Sequence, residues 1–140
     1  MGHRFIDHTA DVAADLDGRS PAELFVSGAQ ALTDTITALD AVRPLVTQPV
    51  TVQAPTIEDL LVDWLNELVY RFEVDNLLVA TADLRVDQQD GRWRLSGTIG
   101  GERFEPARHP SRVQVKGATY HGLHVTGEHG TWTARVVFDI

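Results

Sequence analysis

The strongest order in the chain is helical. Leu24, Phe25, Gly28, Ala29, Leu32 and Ile36 recur three and four residues apart, which lines them along one face of a helix. Ser20-Pro21-Ala22-Glu23 stands in front of them. There a serine hydroxyl can take a free N–H of the first turn, and proline occupies the position where no N–H is needed. A second stripe, Leu60, Leu61, Trp64, Leu65, Leu68 and Phe72, follows Thr56-Ile57-Glu58-Asp59, which predicts another capped helix. Asp59, Asp63, Asn66 and Glu67 fall on its opposite face and are expected to be a solvated surface.

Around these helices the period shortens to two. Val12-Ala13-Ala14-Asp15-Leu16, residues 50–53, 78–86, 93–104, 123–126 and 132–139 read as strands. Asp90-Gly91 and His129-Gly130 lie between strand pairs, where hairpin turns need residues that tolerate positive φ. Along the last strand Trp132, Ala134, Val136 and Phe138 alternate with Thr133, Arg135, Val137 and Asp139. Asp139 therefore points away from the Trp132 and Phe138 side. Val137 breaks the polarity of its own side, so that side is expected to be partly covered too. Strand, helix, strand, helix and then a run of hairpins predicts a two-layer α+β fold over residues 1–140, one domain. Its two main helices pack on one face of a mainly antiparallel sheet, with Trp64, Trp93 and Trp132 in the core.

Composition narrows the chemistry. Twenty acidic residues against twelve basic give a net charge of -8, which argues against direct nucleic-acid binding, since that needs clustered Lys and Arg. The 43% apolar content fits a folded soluble protein. With no cysteine, disulfides and thiolate metal sites are excluded, and any metal must sit on oxygen or imidazole. No run approaches a membrane span and no basic-then-apolar leader opens the chain, so the expected location is cytoplasmic. The sequence holds no P-loop, GxGxxG, GxSxG or HExxH pattern.

Asp11, Asp139 and the α-carboxylate of Ile140 would form an acid cluster if the first and last of these strands were neighbours. Two unit negative charges about 4 Å apart repel by roughly 4 kcal/mol at an effective dielectric near 20, so such a cluster calls for a cation or raised pKa values. Oxygen-only ligands suit Ca²⁺, Mg²⁺ or Mn²⁺. Alone, Asp11 reads as a turn residue and Asp139 as a solvated strand end; spacing does not show that they meet. Lys116, in Val113-Gln114-Val115-Lys116-Gly117-Ala118-Thr119-Tyr120-His121, alternates outward while Val113 and Val115 face the core. It reads as a solvated lysine or as a contact for phosphate or carboxylate. Of the six histidines, His8 and His121 sit inside these regions.

His8-Thr9-Ala10-Asp11, residues 60–68 (LLVDWLNEL), Gly101-Glu102 with Arg108-His109, Lys116 to His121, and Phe138-Asp139-Ile140 together resemble the archease family, in order and over essentially the whole chain. The resemblance implies a small accessory protein rather than an enzyme. Its partner would be the GTP-dependent tRNA-splicing RNA ligase of the RtcB type, whose guanylylation and multiple turnover it promotes. An effect on a tRNA cytosine methyltransferase is also ascribed to the family. It further implies a divalent cation, calcium in the family, bound by Asp11, Asp139 and Ile140, with Lys116 as the activating lysine and His8 and His121 as candidate neighbours. The segment departs from the family pattern at Gly117-Ala118, where alanine and then a larger residue are expected. Two competing readings are a metal-dependent phosphoester hydrolase using His8 or His121 as base, and a chaperone-like module without a functional metal.

Overall fold

The computed structural model describes residues 2–6 and 11–140. In chain order the elements are β1 (Gly2–Ile6), β2 (Asp11–Gly18), α1 (Pro21–Ile36), a short 3₁₀ turn (Leu39–Ala41), β3 (Val46–Ala54), α2 (Ile57–Asp75), β4 (Leu77–Gln89), β5 (Arg92–Arg103), β6 (Gly117–Glu128) and β7 (Thr131–Asp139). The helix starts are the ones the capping residues dictate. Ser20 Oγ accepts from the Glu23 N–H at 3.2 Å, and Thr56 Oγ1 from the Asp59 N–H at 3.1 Å. α2 ends on Asn76 in the left-handed conformation, whose N–H reaches back to the Arg71 and Phe72 carbonyls. Both hairpin dipeptides have positive φ, at Asp90-Gly91 and at His129-Gly130, as two-residue turns between twisted strands require.

The α+β expectation holds, and every strand pairing is antiparallel. The strands divide between two sheets, ordered β1-β2-β7-β6 and β3-β5-β4. Alternation along a strand states which face is buried but not which strand lies beside it, so this division is not written in the local pattern. β1, too short to show alternation, adds an edge strand beyond those expected from sequence.

α1 packs on β2 of the first sheet and β4 of the second, while α2 meets β6 and β3. The helices therefore bridge the two sheets. Between them lie Phe25, Leu24, Leu60, Leu61, Trp64, Leu65, Leu16, Leu78, Leu95, Ile99, Val136 and Phe138, all 2% exposed or less. Each such large side chain contributes about 1.5–3 kcal/mol on burial. Trp64 also donates its indole N–H to the Phe25 carbonyl of α1 at 2.9 Å. Trp93 and Trp132 are half-buried and pack against the edge of the same core. Where β4 bulges between Val79 and Thr81, Gly101 of β5 sits so close to the Leu78 carbonyl that no Cβ would fit. Among the described residues, no helix is long and apolar enough to cross a membrane.

Candidate metal centre at the end of the first sheet

β2 and β7 run antiparallel with Asp11 opposite Asp139, Ala13 opposite Val137 and Asp15 opposite Arg135. Directly paired residues put their side chains on the same face, with Cβ atoms about 4.5–5.5 Å apart. Leu16, Ala134, Val136 and Phe138 take the core face, so these pairs occupy the face turned away from it. β1 and β6 extend the ranks on either side: Ile6 joins Ala13, Arg4 joins Asp15, Thr119 joins Val137, and Gly117 joins Asp139. The outward face thus carries an acidic rank at one end, an apolar rank beside it and a charged rank beyond.

Asp139 is exposed and Asp11 half-buried. Ile140 follows directly, half-buried and packed against the core, which anchors the main chain one residue beyond Asp139. The Lys116 N–H donates to the Asp139 carbonyl at 2.7 Å, and Lys116 itself is exposed while Val115 is buried. The structure therefore brings Asp11, Asp139, Ile140 and Lys116 to one sheet end. His8 lies outside the described residues. His121 sits exposed beyond Thr119, with its N–H on Thr119 Oγ1 at 3.2 Å.

Two carboxylates from adjacent strands, the donors that the described residues place at this end, suit a hard divalent cation. Among the described residues no group of three or more His, Cys, Asp or Glu converges. A cation at Asp11 and Asp139 would therefore complete its shell with main-chain or terminal oxygen and water.

The apolar rank is covered. Val137 is 4% exposed and Ala13 1%, although neither belongs to the main core cluster. Val137 lies under a wide bulge in β6. Thr119 pairs with Val137 and His124 with Arg135, so residues 120–123 stand opposite Val136 alone. Gly122, at φ 69, lies over Val137, with its Cβ direction 3.9 Å from a Val137 methyl. In the charged rank Asp15 takes Arg135 on both oxygens, at 2.7 and 3.1 Å, and Arg4 at 3.1 Å. The Arg135 hydrogen bond, against a smaller opposing effect of burial, holds the Asp15 carboxyl below the usual aspartate range. This rank lies four residues from the acidic one, about 13 Å along the strand.

The polar face of α2 is only in part the solvated surface the sequence predicts: Asp63 is exposed, whereas Asn66 and Asp59 are half-buried and meet β6. Asn66 Oδ1 accepts the Ala118 N–H at 2.8 Å, and its Nδ2 donates to the Ala118 carbonyl at 3.2 Å. One turn of helix thus satisfies β6 as a neighbouring strand would. Tyr120 donates its hydroxyl to Asp59 Oδ1 at 2.8 Å. That bond to the carboxylate, with burial and the nearby acids, pushes the phenol up to about 12. Burial, and then the charge of Asp59, raises the Asp63 carboxyl. A polar residue behind Trp64-Leu65 is the one trace of this contact that the sequence carries.

A second polar cluster lies away from this end. Glu102, 5% exposed, accepts from the Arg43 N–H at 2.7 Å, Arg43 Nη2 at 3.0 Å and Arg108 Nη1 at 2.6 Å. Nδ1 of the buried His109 ring accepts the Glu105 N–H at 2.9 Å, so the neutral ring carries its proton on Nε2 and donates it to Glu102 at 3.1 Å. Burial alone would raise the Glu102 carboxyl, but the Arg43, His109 and Arg108 bonds outweigh it and hold the carboxyl far below the usual range. The cluster ties the loop after the 3₁₀ turn to the end of β5 and the turn behind it, a framework role.

Known proteins share this fold. An archease from Methanopyrus kandleri is 37% identical over 135 residues, 96% of each chain, and one from Methanosarcina mazei is 32% identical over 99% of this chain and 95% of its own length. The solution structure of a Methanobacterium thermoautotrophicum protein superimposes with a TM-score of 0.83 at 28% identity, covering 99% of both chains. A crystal structure of a Thermotoga maritima archease, described as a possible chaperone, shares the fold with a TM-score of 0.60 at 22% identity, over 96% of this chain and 94% of its own. With residues 3–140 also matching the family model of the archease proteins, the chain belongs to the archease family.

Proposed function

We propose that this protein is a cytoplasmic accessory factor that activates the GTP-dependent RNA ligase of the RtcB type, promoting its guanylylation and repeated turnover in tRNA splicing and RNA repair. The observation that carries the reading is the strand register that sets Asp11 opposite Asp139, beside Lys116. Asp11 and Asp139 hold a divalent cation, with the Ile140 carboxylate as third ligand. When bound, the ion offsets the charge of the pair and offers open positions to phosphate oxygens. Lys116, exposed at the same end, contacts a nucleotide phosphate or a ligase carboxylate. The net charge of -8 supports a route to RNA through the ligase rather than by direct binding. A hydrolase acting alone would need a base beside the pair; of its two candidates, His8 lies outside the described residues and His121 is exposed in the β6 bulge.

The test is guanylylation of the purified ligase with GTP, with and without this protein. Asp11→Asn and Asp139→Asn should each lower the stimulation at least about tenfold, and Lys116→Ala should lower it with metal affinity retained. Stimulation by both aspartate variants equal to that of the unaltered protein would refute the reading.

A further inference from the structure

We infer that Asn66, on the polar stripe of α2, is a positioning residue that holds Lys116 and Gly117 against the acid pair. This inference rests on the proposed activation for its function, but its geometry stands by itself. Upstream of the bulge, β6 is paired to β7 only at Gly117, Ala118 and Thr119. Before that the chain from residue 110 to 116 is irregular, and after it residues 120–123 leave the ladder. A three-residue pairing at the edge of the sheet, between two irregular segments, offers few ladder hydrogen bonds to hold the chain. The Asn66 amide supplies what is missing. It both donates to and accepts from Ala118, the pattern of one residue on an adjacent strand.

Two further contacts point the same way. The Cβ direction of Gly117 ends 3.0 Å from Asn66 Oδ1, so the amide lies tight against the residue paired with Asp139. Tyr120 is latched to Asp59, seven residues earlier on the same stripe of α2. The segment bearing Lys116 is thus held on one side by Asp139, through the Lys116 N–H, and on the other by α2. Asp11 and Asp139 belong to β2 and β7, whose pairing does not involve Asn66. Loss of the clamp therefore frees the lysine segment without dismantling the acid pair.

Asn66→Ala is the direct test, with Tyr120→Phe as a second variant that removes the other latch and leaves the clamp intact. Three readouts are compared: Mn²⁺ affinity by calorimetry, hydrogen exchange of the Lys116 and Ala118 amides, and ligase guanylylation. The expected result for Asn66→Ala is retained Mn²⁺ affinity, faster exchange at both amides, and stimulation lowered about tenfold to a hundredfold, the scale on which small misplacements act. Tyr120→Phe should accelerate exchange in residues 119–121 more than at Lys116. Unchanged exchange at Lys116 and Ala118 in Asn66→Ala would overturn the inference. So would a variant that loses Mn²⁺ binding and general stability together, which would make Asn66 an ordinary structural residue. The exchange arm needs no ligase. If even the unaltered protein fails to stimulate the enzyme, the activator reading falls while the clamp is still decided.

Discussion

Replacing Glu102 by glutamine tests the buried network with the least change of shape. The carboxylate satisfies the Arg43 N–H, the Arg43 and Arg108 guanidinium groups and the His109 ring. The amide keeps one acceptor oxygen and turns two N–H groups toward donors. Removing one partner of a fully buried ion pair costs about 3–5 kcal/mol. Arg43 and Arg108 keep 52% and 33% of their side chains exposed and can turn to water, so the cost moves toward the lower end. The His109 ring, at 0% exposure, cannot, and an unsatisfied buried donor costs about 1–3 kcal/mol. A total near 3 kcal/mol corresponds to a urea midpoint lower by about 1.5 M at a slope of about 2 kcal/mol/M.

The dependence on pH has a definite sign. The Glu102 carboxyl titrates below the ordinary glutamate value of 4.5 in the folded protein. Its contribution is therefore complete above that value and is lost as pH falls through the lower, folded value. The gap between the unaltered protein and Glu102→Gln should be widest near neutrality and shrink on acidification below about pH 4.5. A midpoint change under about 0.3 M, or a gap that widens in acid, would refute the reasoning.

Other expected outcomes follow from the same contacts. Trp64→Ala removes a fully buried indole and its bond to Phe25, and should cost about 3–5 kcal/mol in chemical denaturation. Trp93→Ala, at a half-buried position, should cost clearly less, and equal losses would contradict the core assignment. NMR titration of the Asp15 side-chain carbon should give a midpoint below 3.8, because Arg135 favours its ionised form; a midpoint above 3.8 would count against that pair. In alkaline titration followed by phenolate absorbance, the step removed by Tyr120→Phe should lie near 12. A missing step near the ordinary 10.0 would show that the Asp59 latch does not form in solution.

What could be read in advance was local. A serine followed three residues later by glutamate, a proline at the first helical position and a dipeptide suited to positive φ act within a few residues, and each helix start and hairpin lies where those residues put it. The Asp11–Asp139 pair is different, because its members come from opposite ends of the chain. Alternation fixed the side of the strand on which Asp139 lies, but only the β2–β7 register supplies its neighbour. The misreading of Asn66 has the same origin. Its helix position was right, yet a polar stripe looks the same whether it meets water or the free edge of a strand. The β6 bulge left only Gly122 as a mark, and a glycine in Tyr120-His121-Gly122-Leu123 does not by itself distinguish a bulge from a turn.

The proposed activation rests on a divalent cation held between Asp11 and Asp139. Titrating the isotope-labelled protein with Mn²⁺ and recording paramagnetic broadening of backbone amides tests it most directly. Selective broadening should begin at Asp11, Asp139, Ile140 and the Lys116–Gly117 segment, and should disappear in Asp139→Asn. Broadening centred on another acidic stretch, or undiminished in that variant, would contradict it.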